Sequence, residues 1–114
     1  MISGTLLSNV DDSMDIDEIF GPAFSIHGYD DPEPIFKAIT DSPYGLQCGI
    51  YTNDLDLAMR CFRQTRTGGV VVNAPSRWRS DQMPYGGVKD SGMGREWPRY
   101  TIREMTEERL LILN

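Results

Sequence analysis

The sequence predicts an α/β fold with a mostly parallel sheet and flanking helices. Stretches typical of strands and helices alternate in the order strand, helix, strand, helix, strand, with short connections. This alternation is typical of parallel sheets. Both helices begin at residues that suit a helix N-terminus, and the last strand of the series is a run of three valines at 70–72. Such a run is typical of a strand that is covered on both faces.

The first strand and helix of the series lie between residues 23 and 45. Small or polar side chains alternate with apolar ones over residues 23–27, which predicts a short strand. The Asp-Pro-Glu sequence at 31–33 is a good helix start, because proline suits the first turn and an acidic residue there complements the helix dipole. The Ser-Pro-Tyr-Gly sequence at 42–45 is expected to end this helix.

The second strand and helix follow directly. Residues 46–51 are expected to form a strand, and the Thr-Asn-Asp sequence at 52–54 offers the next helix an N-cap. An apolar helical face then comprises Leu57, Ala58, Cys61 and Phe62. Gly68 and Gly69 are expected to end the helix before the valine strand.

Regular structure is sparser in the rest of the chain. Residues 1–17 become acidic towards their end and give no strand or helix prediction. Residues 74–95 are polar and rich in glycine, and a loop of this length is usually functional. A short helix over 98–107 and a short apolar strand over 109–113 are expected to complete the fold.

Length and charge exclude several classes of function. The 114 residues suffice for one modest domain. The net charge of −6 argues against nucleic acid and anionic membranes as partners, because both require a basic patch. No apolar run approaches the roughly 20 residues of a membrane span. The first seven residues lack the basic n-region with which a signal peptide begins, so no signal peptide is expected. The two cysteines form neither a disulfide framework nor a zinc motif, so a cytoplasmic location is expected.

A set of short motifs occurs in a fixed order along nearly the whole chain. The longest are Glu-Ile-Phe-Gly-Pro at 18–22, Tyr-Thr-Asn-Asp at 51–54, Pro-Tyr-Gly-Gly-Val-Lys-Asp-Ser-Gly at 84–92, Gly-Arg-Glu at 94–96 and Met-Thr-Glu at 105–107. This ordered set resembles the aldehyde dehydrogenase family, over roughly the last quarter of its usual length. The resemblance implies a C-terminal part of the catalytic domain over residues 1–105 and an oligomerisation strand over 106–114. It also implies NAD or NADP as cofactor, a small aldehyde as substrate and a homo-oligomer.

The resemblance assigns no catalytic residue to this chain. The family's nucleophilic cysteine and general-base glutamate are expected upstream, so the chain alone is expected to be inactive. Neither Cys48 nor Cys61 has the base, cation or helix N-terminus that activates a thiolate. Cys61 lies on an apolar helical face, where cysteine behaves as a small hydrophobic residue. An alternative function is a non-catalytic module, or a truncated paralogue, that self-associates.

Two residues are predicted to contact the cofactor. Glu18 corresponds, by the resemblance, to the family glutamate that holds the nicotinamide ribose, and a carboxylate is a natural acceptor for ribose hydroxyls. Phe20 corresponds to the aromatic residue that packs near the nicotinamide ring. Without the resemblance, Glu18 is simply one of several charges in an acidic segment.

Two further residues are predicted to contact the substrate. Arg79 stands where many relatives carry an apolar tunnel residue. In this respect the sequence resembles a subgroup that includes lactaldehyde, non-phosphorylating glyceraldehyde-3-phosphate and phosphonoacetaldehyde dehydrogenases. The resemblance implies that the substrate is a small aldehyde with an anionic tail. A guanidinium suits such a tail because its donors form a fork. Tyr85 matches an aromatic residue near the substrate. Trp78 is expected either to form a wall of the substrate site or to anchor the loop in the core. The alternative for Arg79 is a solvated arginine in a polar loop.

The remaining polar residues of interest are predicted to be structural. A salt-bridged loop is expected from Lys89, Ser91, Arg95 and Glu107. His27 is expected to bind no metal, since no acidic residue or cysteine accompanies it at metal spacing. Trp97 departs from the family pattern, which usually has glycine at this position. The backbone conformation of this turn, and the contact that it makes, are therefore not predicted from the family.

Overall fold

The computed structural model describes residues 3–10 and 20–114. The chain divides into two compact units, with the boundary between Pro32 and Glu33. No helix in these two ranges is long and apolar enough to cross a membrane. The elements, in chain order, are β1 (Thr5–Ser8), β2 (Ala23–Ile26), α1 (Pro32–Asp41), β3 (Tyr44–Gly45), β4 (Cys48–Ile50), α2 (Leu55–Gln64), β5 (Val70–Val72), β6 (Val88–Lys89) and α3 (Pro98–Met105).

The first unit contains one parallel pair of strands. β1 pairs with β2 in register from Thr5 opposite Ala23 to Ser8 opposite Ile26. The strand at 23–26 confirms the prediction from alternation, whereas β1 was missed. Alternation cannot reveal β1, because its sequence Thr-Leu-Leu-Ser has no period of two and its partner lies 18 residues away.

The second unit contains two further strand pairs. β4 and β5 are parallel, with Cys48 opposite Val70 and Ile50 opposite Val72. β3 and β6 are antiparallel, with Gly45 opposite Val88. The strand predicted over 46–51 is therefore confirmed in its centre. The loop predicted over 74–95 is wrong at 88–89, where two residues pair with β3.

Helix α2 supplies two of the buried core side chains of the second unit, and α1 supplies Phe36. Asp54 caps α2, since its carboxylate accepts the N–H groups of Asp56 and Leu57 at 2.9 and 3.3 Å. Ala58 and Cys61 are buried on its apolar face, as predicted. The helix ends at Gln64, earlier than the glycines at 68–69, because the backbone of Thr65 is extended, with φ −92° and ψ 135°. The N–H and hydroxyl of Thr65 both donate to the Cys61 carbonyl and so complete the last helical turn.

Two predictions about covered apolar segments differ from the structure. The valine strand is not covered on both faces, since Val72 is 46% exposed. Residues 109–113 form no strand, and the apolar side chains at 110–113 are 75–86% exposed. A strand needs a partner for its N–H and C=O groups, and none of the residues that the structure describes provides one. α3 also ends at Met105, two residues before the predicted end.

Close backbone contacts between glycines position the segment that carries Tyr85. A β-carbon on Gly68 would lie 1.8 Å from the Gly86 carbonyl oxygen, and one on Gly86 would lie 2.4 Å from that of Gly94. Both distances are far below van der Waals contact, so only glycine fits at these two positions. The turn after α2 therefore packs against the Pro-Tyr-Gly-Gly segment, which in turn packs against the segment before α3.

Lys89 joins β6 to the end of α1. Its ammonium donates hydrogen bonds to the carbonyls of Ile39, Thr40 and Ser42 at 3.1, 3.1 and 2.7 Å. These carbonyls lie at the helix C-terminus, where the backbone lacks internal partners and a cation is favourable. Lys89 therefore replaces the missing backbone donors.

We expect Lys89→Met to lower the free energy of unfolding by about 1.5–3 kcal/mol, the contribution of a hydrogen bond to a charged group. Urea denaturation measures this value. Lys37→Met is the matched control, because Lys37 is an exposed lysine of α1 that pairs with Asp41 one turn away. Such a pair contributes only about 0.2–0.5 kcal/mol. A loss for Lys89→Met that is no larger than the control would contradict the capping role.

Candidate substrate site

The candidate site lies where the segment after β5 meets the segment before α3. Two turns shape the first segment, with the N–H of Trp78 donating to Pro75 and that of Met83 donating to Ser80. Tyr85 then pairs with Glu96 in a single antiparallel bridge, and the Glu96 N–H donates to the Tyr85 carbonyl at 2.6 Å. This bridge brings side chains from residues 79–85 next to those from 96–98.

Arg79 is held between two of these side chains. Its Nη1 donates to Glu96 Oε2 at 3.1 Å, and its Cζ lies 4.8 Å from the centre of the Tyr85 ring. Both charged side chains are more than half exposed. An exposed ion pair contributes at most about 1 kcal/mol, and an exposed cation–π contact about 0.5–1 kcal/mol. The guanidinium is therefore oriented by weak contacts, which a ligand can replace.

A cavity of about 270 Å³ lies against this arginine, lined by Arg79, Ser80, Asp81, Met83, Tyr85, Glu96, Trp97 and Pro98. The predicted residues Arg79 and Tyr85 thus share one cavity, whereas Trp78 does not line it. Sequence reasoning missed Glu96 as the partner of Arg79, since the two are 17 residues apart in the chain. The cavity contains one cation and two carboxylates, those of Asp81 and Glu96. An anionic ligand would therefore have to compete with Glu96 for the guanidinium.

Trp97 lines the cavity in a backbone conformation that favours glycine. Its φ is 100° and its ψ is 135°, a region in which a β-carbon is strained. Holding a residue other than glycine in such a region costs about 1–3 kcal/mol. The doubt that the sequence raised about this turn thus has a structural basis: the backbone keeps the glycine conformation while the side chain is an indole.

Of the two predicted cofactor residues, Glu18 and Phe20, the structure describes only Phe20. Phe20 is 94% exposed, so its ring is available to pack against a flat ligand such as a nicotinamide. Glu18 lies outside the described residues. The roles of both residues remain predictions.

The two cysteines are close together and poorly suited to nucleophilic attack. Burial raises the pKa of the Cys48 thiol to about 11, and the neighbouring Cys61 adds to this rise. Cys61 itself is 1% exposed. Because the thiolate is the reactive form, Cys48 stays protonated at neutral pH. This setting agrees with the expectation that neither cysteine is a catalytic nucleophile.

The predicted salt-bridged loop is held by hydrogen bonds to backbone groups. Lys89 caps α1, and the Arg95 guanidinium donates to the carbonyls of Gly87 and Gly94 at 3.0 and 2.6 Å. The Ser91 hydroxyl accepts the Gly45 N–H at 2.9 Å. The expectation of a structural role is therefore supported, but carbonyl oxygens take the place of the expected carboxylate partners. Glu107 is exposed and follows the end of α3.

Metal ligands do not cluster in the described ranges. No group of three or more histidine, cysteine or acidic side chains there is arranged to hold a metal ion. His27 lies just after β2 and is exposed.

Comparison with known proteins identifies the family. The aldehyde dehydrogenase family model matches residues 1–111. The chain belongs to the aldehyde dehydrogenase family. It is 51% identical over 112 residues to a 3-sulfolactaldehyde dehydrogenase from Priestia aryabhattai, a match that covers 96% of this chain and 24% of that protein. It is 40% identical over 97 residues to a lactaldehyde dehydrogenase from Methanococcus maripaludis, covering 85% of this chain and 21% of that protein.

Solved structures of the same family share the fold. Aldehyde dehydrogenase 21 from Physcomitrella patens, in complex with the reaction product succinate, matches with a TM-score of 0.84 and 38% identity, over 90% of this chain and 22% of that one. An aldehyde dehydrogenase from Bacillus cereus in complex with NAD+ matches with a TM-score of 0.82 and 30% identity, over 90% of this chain and 21% of that one. A glyceraldehyde-3-phosphate dehydrogenase from Methanocaldococcus jannaschii in complex with NADP matches with a TM-score of 0.71 and 38% identity, over 75% and 19%.

These matches confirm the predicted α/β fold as part of an aldehyde dehydrogenase domain. The chain spans about a quarter of the length of the curated relatives that it matches. The activity of a whole enzyme is therefore, for this chain, a proposal.

Proposed function

We propose that this chain is the C-terminal part of a cytoplasmic, NAD(P)-dependent aldehyde dehydrogenase that oxidises a small aldehyde with an anionic group to its acid. One observation carries the choice of substrate: Arg79 lies over Tyr85 at the wall of a cavity of about 270 Å³. Binding cavities for drug-sized ligands are roughly 300–1,000 Å³, so this one suits a smaller molecule.

The guanidinium of Arg79 is the proposed anchor for the anionic group. Its fork of donors matches a carboxylate, sulfonate or phosphate. Glu96 occupies it only through an exposed ion pair, so the exchange of Glu96 for a ligand costs at most about 1 kcal/mol. Exclusion of water by the rest of an intact enzyme would strengthen the new pair, because charges attract more strongly at low dielectric.

The names of similar proteins support this substrate class. 3-Sulfolactaldehyde carries a sulfonate, and succinate is the product of oxidising an aldehyde that already carries a carboxylate. Lactaldehyde, in contrast, is uncharged, so the subgroup named in the sequence analysis is not uniformly anionic. The geometry of Arg79 is therefore the stronger support for a charged substrate.

Glu18 and Phe20 are the proposed contacts to the cofactor. When bound, NAD(P)+ accepts the hydride that leaves the aldehyde. Glu18 would accept hydrogen bonds from the nicotinamide ribose, and the exposed ring of Phe20 would pack against the nicotinamide. The NAD+ and NADP complexes of similar structures support both cofactors equally.

The alternative function is a non-catalytic module that self-associates. The observation in its favour is the exposed apolar segment at 110–113. The same segment is the proposed oligomerisation strand, within 106–114, of an intact homo-oligomeric enzyme. Self-association alone therefore does not separate the two functions, whereas activity does.

We expect the isolated chain to show no aldehyde-dependent reduction of NAD+ or NADP+, and the intact longer protein to show it. The isolated chain has neither a thiol activated for attack nor a proposed general base. Absorbance at 340 nm with a panel of short anionic and neutral aldehydes measures the rates. Cys48→Ala and Cys61→Ala are the control variants. Turnover by the pure isolated chain that either variant abolishes would contradict this assignment, and an inactive intact protein would favour the alternative.

A further inference from the structure

Trp97 is one of the residues that line the cavity beside Arg79 and Tyr85. We infer that Trp97 limits the length of the aldehyde that the site accepts, and so acts as a specificity-determining residue. This inference rests on the proposed function, because it places the substrate in the cavity that Arg79 and Tyr85 line. The ligand class is a short aldehyde whose anionic end pairs with Arg79.

The backbone supplies the first reason. Position 97 has φ 100°, so glycine is the residue that would relieve strain there. The Trp97 side chain makes no capping hydrogen bond to α3, which begins at the next residue. The strain is therefore not offset by a cap. Residues kept in strained backbone conformations cluster at ligand sites, and the structure places this one at the cavity.

The position of the side chain supplies the second reason. Trp97 is half-buried and lines the cavity, whereas Trp78 in the neighbouring loop is 53% exposed and does not. Glu96, the adjacent residue, holds the arginine at 3.1 Å. The anchor for the charged end and the aromatic wall are therefore fixed by consecutive residues. A ligand bound to the anchor extends in a cavity of only about 270 Å³, which Trp97 also lines.

Three substitutions at Trp97 distinguish the effect of its indole ring on substrate length from the effect of its strained backbone. Trp97→Gly removes both, Trp97→Ala removes the ring but keeps a β-carbon, and Trp97→Phe keeps an aromatic wall. The measurement is kcat/KM of the intact enzyme for aldehydes of three and six carbons, in one series with a terminal carboxylate and one without. The quantity compared is the ratio of the six-carbon to the three-carbon value within each series.

We expect the glycine and alanine variants to raise this ratio by at least about 10-fold, since misfit of a single methylene in an apolar pocket changes kcat/KM by about 10–200-fold. The phenylalanine variant should change it much less. The melting temperature should be higher for Trp97→Gly than for Trp97→Ala, because both variants lose the indole but only glycine relieves the positive φ. This second measurement shows that the variant is folded and that the conformation seen here is retained.

Two outcomes would contradict the proposed wall. One is a ratio that stays constant in both the glycine and the alanine variants, and the other is an equal rise in the phenylalanine variant. The charge preference of the wild type is a separate readout. If the wild type prefers neutral aldehydes, the anionic substrate class is wrong, while the neutral series still tests the wall.

Discussion

We expect Arg79→Ala to lower kcat/KM of the intact enzyme for an anionic aldehyde by about 10–100-fold. The lost interaction is a hydrogen bond to a charged group, which contributes about 1.5–3 kcal/mol. A neutral aldehyde of the same length should be affected only slightly. The loss should appear mainly in KM if the guanidinium binds substrate and transition state equally well.

Two matched variants make this result specific. Arg77→Ala removes an exposed arginine two residues away that does not line the cavity, and it should leave the preference for anionic substrates intact. Arg79→Lys keeps the charge but loses the fork of donors, so it should restore part of the loss. Equal losses for anionic and neutral aldehydes in Arg79→Ala would show that Arg79 only stabilises the loop.

We expect a chain that ends at Glu107 to self-associate at least roughly 100-fold more weakly than the full chain, a change of about 2.7 kcal/mol. The truncation removes Leu110–Leu113, whose side chains are 75–86% exposed in the single chain. Burial of one such side chain contributes about 1.5–3 kcal/mol, and ordering of the segment opposes this gain. Light scattering over a concentration series measures the association.

A control at another exposed apolar residue distinguishes association through residues 110–113 from non-specific hydrophobic association. Met93 is 99% exposed and lies outside the segment, so Met93→Lys should leave association unchanged. Leu111→Lys, within the segment, should weaken it in the same direction as the truncation. A full chain that stays monomeric at about 100 μM would contradict the proposed oligomerisation strand.

Local signals predicted the parts of the fold that depend on local chemistry. The cap at Asp54 and the buried face of α2 follow from residues within one or two helical turns of each other. In contrast, the partners in the β1–β2 pair are 18 residues apart, and those in the β3–β6 pair are 43 and 45 residues apart. Two- to four-residue ladders carry too little periodicity to be recognised in a sequence.

The candidate site was predicted in part, for the same reason. Arg79 and Tyr85 are six residues apart, and the family resemblance singled out both before the structure placed them 4.8 Å apart. Glu96 reaches Arg79 only because the bridge to Tyr85 folds the chain back. The strand expected over 109–113 is a different case, because none of the described residues pairs with it in the single chain.

The substrate preference of the intact wild-type enzyme tests the proposed role of the Arg79 cavity most directly. The measurement is kcat/KM for two aldehydes of equal length, one with a terminal carboxylate or sulfonate and one with a terminal methyl group. We predict a preference of at least about 10-fold for the anionic aldehyde, because one charged hydrogen bond contributes about 1.5–3 kcal/mol. Equal values, or a preference for the neutral aldehyde, would contradict the assignment of Arg79 as the anchor.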